Sequence, residues 1–167
     1  MSVVVVTDSS ARLPADLHAQ WDIRVVPLHV LVDGADLRDG VDEVPSDLYQ
    51  RPQVSTAGAG PAELAHAYRA ALADSHGDGV VAVHLSTALS STLGAAQHAS
   101  AEFGGAVAVV DSRSAGMGTG FVALAAARAA GAGAGLDDVV AQAESAASRM
   151  SAFIVVQRLD NLRRSGR

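Results

Sequence analysis

The stretch VVAVHLSTALSST, residues 80–92, joins a Val-rich apolar run to a turn that is rich in hydroxyl groups. Five of its first six residues are apolar, which is typical of a buried strand. Five of its last seven residues carry hydroxyls, and a helical pattern covers residues 91–103. In a parallel sheet such a turn lies at the carboxyl end of its strand, where open α/β sheets bind ligands. The stretch therefore predicts a buried strand, a polar turn at the ligand-binding edge and a helix.

The same alternation of short Val-rich runs and longer Ala-rich helical patterns continues on both sides of this stretch. It predicts an α/β fold of three layers, α/β/α, in which a mostly parallel sheet carries helices on both faces. Strands are predicted at residues 3–6, 23–32, 80–85, 106–110 and 153–156, with Pro27 interrupting the second. Helices are predicted at residues 13–17, 44–49, 61–73, 91–103, 117–130 and 136–150, a polar loop at residues 50–60, and a hairpin turn at Asp33-Gly34.

Composition excludes several classes of chemistry. The sequence of 167 residues has no cysteine, which excludes a disulfide framework, a thiolate zinc site, an iron–sulfur cluster and a cysteine nucleophile. All 12 basic residues are Arg, so a Schiff-base lysine and a Walker-type phosphate-binding lysine are excluded within this sequence. The net charge of -6 argues against a protein that binds nucleic acid through phosphate contacts.

Targeting and membrane signals are also absent from the pattern. Residues 1–8 have no positively charged region and only four consecutive apolar residues, fewer than a signal peptide needs. The Ala-rich stretch at residues 121–134 is broken by Arg128 and Gly131, so it does not predict a spanning helix. We therefore expect a cytoplasmic protein without stable membrane insertion.

Hydroxyl groups cluster in three segments, at residues 7–10 and 86–92 after predicted strands and at residues 55–60 in the loop that leads into the helix at Pro61. The third cluster opens a helix, where unpaired backbone N–H groups and the positive end of the helix dipole favour a carboxylate or a phosphate. Helix capping needs one hydroxyl, whereas this cluster has five. The small residues at 55–60 allow close approach to a ligand but are also typical of an ordinary turn. The cluster at residues 7–10 could contact a ligand or simply cap the first helix.

Signals for catalysis are weak. The sequence has neither a Gly-x-Ser-x-Gly elbow nor a His-Glu-x-x-His helix, and its six His residues are scattered. His84 is near the hydroxyl-rich turn and could approach a ligand, although a lone His at a strand end is more often simply hydrogen-bonded. The basic residues near the end are typical of a solvated face, or of a surface that attracts an anionic ligand or an acidic partner: Arg158, Arg163, Arg164 and Arg167.

Taken in order, these segments resemble the DegV family of bacterial fatty-acid-binding proteins. Five segments carry the resemblance over essentially the whole sequence, at residues 5–10, 23–30, 86–92, 110–112 and 159–167. Residues 86–92, Ser-Thr-Ala-Leu-Ser-Ser-Thr, are similar to the family signature Ser-Ser-x-Leu-Ser-Gly-Thr, with Ser91 in place of Gly. The resemblance implies a non-catalytic carrier without a cofactor, which has a role in phospholipid metabolism.

Such a carrier binds a long-chain fatty acid in an apolar tunnel between two domains and presents the carboxyl group to a separate fatty-acid kinase. The resemblance places the two carboxylate-binding residues of the family at Thr56 and Ser90. Residues that would surround them are Asp8, Ser9, Ser86, Ser91, Thr92 and Arg167. The family loop Ser-Gln-Pro-Ser is replaced by Ala57-Gly58-Ala59-Gly60, a departure that allows a different head-group geometry.

The end of the sequence carries a further expectation. In the family, the Ser-Gly-Arg segment leads into a second domain that completes the tunnel, whereas this sequence stops at Arg167. We therefore expect residues 1–157 to form a DegV-like N-terminal domain and residues 158–167 to begin the connection to an absent second domain. Alone, such a domain would bind fatty acid weakly or form a homodimer through its exposed apolar face.

Two alternatives come from other functional classes. The first is a small-molecule kinase subunit, because DegV-like folds are similar to the substrate-binding half of dihydroxyacetone kinases, which hold a small polyol through a His. Here that role would require His29 or His84 close to the hydroxyl-rich turn. The second is a regulatory or interaction module that uses the basic residues 158–167.

Overall fold

A parallel sheet of four strands forms the middle layer of the structure, a computed structural model that describes residues 3–51, 53–153 and 155. The described strands are β1 (Val4–Asp8), β2 (Arg24–Val26), β3 (His29–Val32), β4 (Ala35–Arg38), β5 (Val54–Ala57), β6 (Val80–His84) and β7 (Val107–Asp111). The sheet has the order β2-β1-β6-β7, and each neighbouring pair is parallel. Its central strands β1 and β6 are buried along their whole length, as their continuous apolar runs predict.

Helices cover both faces of this sheet. The described helices are α1 (Ala15–Gln20), α2 (Pro61–Ser75), α3 (Thr92–Ser100), α4 (Met117–Gly131) and α5 (Leu136–Ser148). Alternate residues of β1 point to opposite faces, so that Val5 packs with α4 and α5, and Val6 packs with α2 and α3. Burial of one such Val contributes about 1.5–3 kcal/mol. The predicted three-layer α/β/α fold is confirmed.

A second, antiparallel sheet has the order β4-β3-β5. Asp33 and Gly34 join β3 to β4 and have φ angles of 50° and 84°, the left-handed pair that a tight hairpin turn requires. The predicted hairpin turn is therefore confirmed. This small sheet carries His29 and Thr56 to a cleft that Leu85, just after β6, also lines.

Two predicted elements between β1 and α2 are wrong. The strand predicted at residues 23–32 is two strands in two different sheets, because Pro27 lacks the N–H that would continue the hydrogen-bonded ladder. The polar loop predicted at residues 50–60 contains β5, an edge strand whose four residues are all exposed. Its polar sequence lacks the alternation that marks a half-buried strand.

Three helix predictions need correction. Residues 44–49 form no α-helix, and only a short 3-10 turn, Leu48–Gln50, lies there, since one turn of helix is unstable without a packed apolar face. The helix predicted at residues 13–17 begins at Ala15 and ends at Gln20, with Pro14 as its N-cap. The helix predicted at residues 91–103 changes to a 3-10 turn at Ala101–Phe103.

The segment after α5 is only partly described. Phe153 is 92% exposed and Val155 is 94% exposed, and neither lies in a strand, which contradicts the strand predicted at residues 153–156 for these two positions. Residues 154 and 156, and the basic segment 158–167 with Arg167, lie outside the described residues. No described helix combines the length and the apolar composition needed to cross a membrane.

Candidate functional site

A cleft of about 290 Å³ at the carboxyl edge of the parallel sheet brings Thr56 and Ser90 together. Thr56 comes from the small antiparallel sheet and Ser90 from the turn that follows β6, although the two are distant in sequence. The cleft is also lined by Ser10, Arg12, His29, Asp39, Gly58 and Gly116. The structure therefore gives the two hydroxyls a common cavity, while their role as ligands stays a prediction.

Hydrogen bonds within the turn hold the hydroxyl of Ser90 in place. The Ser86 carbonyl accepts the N–H of Ser90 at 3.1 Å, and Ser90 Oγ accepts the N–H of Thr92 at 3.2 Å. Ser90 Oγ also lies 2.9 Å from Thr92 Oγ1. A hydroxyl has one donor and two acceptor positions. When Thr92 donates in the second bond, both acceptor positions of Ser90 are filled and its proton is left for an anion in the cleft.

Helix capping accounts for only part of the hydroxyl groups in this turn. Ser91 is the N-cap of α3 but makes no side-chain capping bond, and the hydroxyl that bonds the first N–H is that of Ser90. Ser86 Oγ accepts the N–H of Ala88 at 3.2 Å, which stabilises the turn. Ser91 is exposed, whereas Ser86 is buried.

The loop after Thr56 approaches the same turn closely. A Cβ atom on Gly58 would lie 2.5 Å from Oγ1 of Thr92, a side chain that is completely buried. Only glycine therefore permits the loop to lie against Thr92 in this arrangement. Gly58 places the end of β5, and with it Thr56, beside the turn that carries Ser90.

Two helices begin at the cleft. α3 begins at Thr92, two residues after Ser90, and α4 begins after Gly116, whose φ of 61° and ψ of -146° are accessible chiefly to glycine. The first turn of a helix has N–H groups without intrahelical partners and a partial positive charge. Together with two hydroxyls, these groups favour a small anionic group.

A buried network under the cleft links Asp8, His84 and Tyr68. Asp8 Oδ2 lies 2.9 Å from His84 Nδ1 and accepts the N–H of Leu85 at 3.0 Å, and His84 Nε2 lies 2.8 Å from the Tyr68 hydroxyl. Asp8 Oδ1 accepts two further bonds from Ser10. All three network side chains have 0% exposure, so neither Asp8 nor His84 reaches the cleft. The network instead positions Ser10 and Leu85, which do line it.

Burial and hydrogen bonds act in opposite directions on this network. Burial by itself would raise the pKa of Asp8, but the hydrogen bonds from His84, Ser10 and Leu85 hold the pKa of this carboxyl below its usual value. Burial, with a smaller effect from the negative charge of Asp8, raises the pKa of Tyr68 well above its usual range. Asp8 is therefore a fixed acceptor and Tyr68 a fixed hydroxyl at neutral pH.

A second network connects the small sheet to the first turn after β1. Ser9 Oγ donates to Asp39 Oδ2 at 2.8 Å and accepts the N–H of Leu28 at 3.0 Å. An Arg12 guanidinium nitrogen lies 3.1 Å from Asp39 Oδ1. Ser9 thus fixes the positions of Asp39 and Leu28, which both line the cleft. Sequence analysis did not identify Arg12 or Asp39, which are 27 residues apart, and its only local signal was the polar turn at residues 7–10.

His29 faces two carboxylates at the rim of the cleft. Its Nδ1 lies 2.7 Å from Asp36 Oδ1 and its Nε2 lies 3.1 Å from Glu63 Oε1. The hydrogen bond to Asp36 has the largest effect and raises the pKa of His29. Burial opposes it, and the hydrogen bond to Glu63 adds to the increase, so the pKa lies above its usual value. Glu63 Oε2 also accepts the N–H of Gly60 at the start of α2. His29 therefore ties the small sheet to α2.

Comparison with known proteins places the chain in a family. Residues 2–167 match a family model described as an uncharacterised protein of the DegV family. This chain belongs to the DegV family. A DegV domain-containing protein of Mycobacterium tuberculosis strain H37Rv is 65% identical over 167 residues, which are 100% of this chain and 59% of that protein. The chain thus spans about three fifths of the length of the relatives that it matches.

Solved structures of the DegV family share the fold. A Thermus thermophilus DegV family protein, described by its fatty acid binding, is 35% identical with a TM-score of 0.88, over 100% of this chain and 61% of that one. Bacillus subtilis DegV, described as a fatty acid binding protein, is 28% identical with a TM-score of 0.87, over 100% of this chain and 61% of that one. The resemblance inferred from the sequence is therefore confirmed.

Proposed function

We propose that this DegV chain holds the carboxylate of a long-chain fatty acid between Thr56 and Ser90, as part of a carrier that presents it to a separate fatty-acid kinase. The observation that best supports this proposal is the shared cleft, where the Thr56 hydroxyl of the small sheet, the Ser90 hydroxyl of the turn after β6 and two helix N-termini converge. The fatty acid binding described for the Thermus and Bacillus proteins supports the choice of ligand.

The physical argument concerns desolvation of the head group. A buried carboxylate costs several kcal/mol unless its oxygens accept hydrogen bonds. Ser90 has a proton to donate when Thr92 is the donor in the bond between them, and Thr56 has another on an exposed strand. Hydrogen bonds to a charged acceptor are the strong ones. Burial of methylenes at about 0.8 kcal/mol each would supply most of the affinity. In this proposal residues 1–157 hold the head group and residues 158–167 lead to a second domain that covers the acyl chain.

The exposed position of Thr56 favours a carrier over an enzyme, because a kinase needs access to the carboxylate. The alternative, a polyol-binding kinase subunit, needs a His with a free ring nitrogen at the cleft. Both ring nitrogens of His29 and of His84 already have partners. Among the described residues, no group of three or more His, Asp or Glu side chains is placed so that it could hold a metal ion. We place the carrier in the cytoplasm, where acyl phosphates would be used.

The decisive experiment compares Ser90→Ala with the wild type after removal of bound lipid. Loss of a charge-assisted hydrogen bond should weaken stearic acid binding, measured by calorimetry, by about 1.5–3 kcal/mol. Ser148→Ala is the matched control, because its hydroxyl donates to the Ser145 carbonyl and Ser148 is not among the described residues that line the cleft. Equal affinities for wild type and Ser90→Ala would remove Ser90 from the site.

Two further measurements test the rest of the proposal. Mass spectrometry of lipid extracted from the purified chain should detect fatty acid, whereas covalent trapping of a carbonyl compound would favour the polyol alternative. Analytical ultracentrifugation then measures whether the chain is a monomer, which would bind fatty acid weakly, or a homodimer. Micromolar or tighter binding by a monomer of residues 1–167 would contradict the need for a second domain.

A further inference from the structure

Arg12 lies where the head-group cleft meets a larger cavity. It lines the cleft with Thr56 and Ser90, and it also lines an adjoining cavity of about 600 Å³ whose apolar residues include Leu13 and Val25. Arg12 ends the 3-10 turn after β1 in the left-handed conformation, with φ 51° and ψ 33°. Side chains other than glycine adopt this conformation rarely. The residue that borders both cavities therefore has an unusual backbone conformation.

Among the described residues that line the cleft, Arg12 is the cation that remains available to a ligand. The charged lining residues are Arg12, His29 and Asp39. The two ring nitrogens of His29 are paired with the carboxylates of Asp36 and Glu63. Asp39 has a side chain that is only 14% exposed and is fixed by Ser9, whereas the Arg12 side chain is 64% exposed.

The guanidinium keeps donors beyond its bond to Asp39. Within the part of the chain that the structure describes, Arg12 makes one side-chain bond, from one terminal nitrogen, while a guanidinium has five N–H groups. Without Arg12 the carboxylate of Asp39 would face the ligand unbalanced. A carboxylate in the cleft would then be repelled, whereas a neutral alcohol of the same chain length would not be.

We propose that Arg12 is the specificity-determining residue that makes this cleft select an ionised head group over a neutral one. The inference rests on the proposed binding of a fatty acid at Thr56 and Ser90, and it adds a charged contact to their two hydroxyls. Asp39 holds the guanidinium in position before the ligand arrives. The ligand class is a single-chain amphiphile with a carboxylate or phosphate head.

The test compares dodecanoate with 1-dodecanol, which differ in head-group charge and not in chain length. Binding of both is measured by calorimetry to the delipidated wild-type chain, to Arg12→Gly and to Arg12→Lys. Arg12→Gly removes the charge and suits the left-handed backbone, so it should fold at least as well. Arg113→Gly is the matched control, because Arg113 is also exposed and has a φ of 53°, but lies outside the cleft.

We expect Arg12→Gly to lose about five- to tenfold in dodecanoate affinity and about twofold or less in dodecanol affinity. Arg12→Lys should stay within about threefold of the wild type, and Arg113→Gly should match it. Raising the ionic strength from about 0.05 M to about 0.5 M should weaken dodecanoate binding to the wild type and much less to Arg12→Gly. A purely structural role of Arg12 would not change this salt dependence.

The outcomes separate this inference from the function on which it rests. Wild-type binding without a preference for dodecanoate, or a preference that survives in Arg12→Gly, overturns the role of Arg12 and leaves the fatty-acid site standing. Equal losses in Arg12→Gly and Arg113→Gly would assign the effect to net charge and also overturn it. Wild-type protein that binds neither amphiphile overturns the proposed function itself.

Discussion

Substitution of Gly58 tests the close contact between the loop after Thr56 and the turn that carries Ser90. The Cβ of Gly58→Ala would lie 2.5 Å from Thr92 Oγ1, about 1 Å inside ordinary van der Waals contact. Gly58 does not have a positive φ, so the contact alone is changed. Thr92 is completely buried and bonded to Ser90, and it cannot rotate away without breaking that bond. We expect a loss of about 1–3 kcal/mol in unfolding free energy, the usual cost of overpacking.

The assay is urea denaturation followed by circular dichroism, arranged as a double-mutant cycle. In a Thr92→Ala background the oxygen that the new Cβ meets is absent, so adding Gly58→Ala should cost less than about 0.5 kcal/mol. Binding of fatty acid should fall in Gly58→Ala as well, because displacement of Thr92 Oγ1 removes the partner that orients Ser90.

Gly94 provides the control. It lies exposed within α3, and a Cβ built on it would meet nothing within 4 Å. Gly94→Ala should therefore stabilise the protein by about 0.5–1 kcal/mol, the helix preference of Ala over Gly. Equal stabilities of wild type and Gly58→Ala, or the same loss with and without Thr92 Oγ1, would refute the argument from close approach.

Three further predictions concern the buried and bridging groups. The bond to Asp36 raises the pKa of His29 in the folded protein. The contribution of His29 to the free energy of unfolding should therefore be complete below pH 6.5 and be lost as the pH rises through the folded pKa. The difference in urea unfolding free energy between wild type and His29→Gln should shrink over that range, and a constant difference would contradict this. The lowered pKa of Asp8 should make Asp8→Asn less sensitive to acid unfolding, since the wild type loses that contribution as the pH falls below 3.8. Tyr68→Phe should cost about 1–3 kcal/mol in the same assay, because Nε2 of buried His84 loses its partner; an unchanged stability would exclude that bond.

Much of the fold could be predicted from the sequence because its core elements have clear periodicity. β1 and β6 are continuous apolar runs, and α5 has an apolar stripe that packs Val139 and Ala143 against the sheet. The small sheet could not be predicted as a unit. β5 is exposed on every residue, and the 21 residues 33–53 separate it from β3, with which it pairs, so that no local pattern marks their association. Pro27 signalled an interruption but not a change of sheet.

The candidate site, too, could be predicted only in part from the sequence. Ser90 was found because five hydroxyls crowd one turn after a strand, a local feature, and Thr56 was found through the family resemblance. The Asp8–His84 bond joins residues 76 apart, and the His29–Glu63 bond joins residues 34 apart. Such bonds depend on how sheets and helices pack. The sequence showed the polar residues but could not show which of them are partners.

The loop that departs most from the family pattern is fixed at both ends by such long-range contacts. Gly58 lies against Thr92 of the hydroxyl-rich turn, and Gly60 donates to Glu63, whose other oxygen faces His29. The loop therefore needs no hydroxyls of its own to hold Thr56 beside the cleft. Because Ser90 is held by its own turn, loss of the His29–Glu63 bond should weaken the contribution of Thr56 to head-group binding and leave that of Ser90 unchanged. The two hydroxyls are thus positioned by separate parts of the fold, which is why small residues at 57–60 are compatible with a site that uses both.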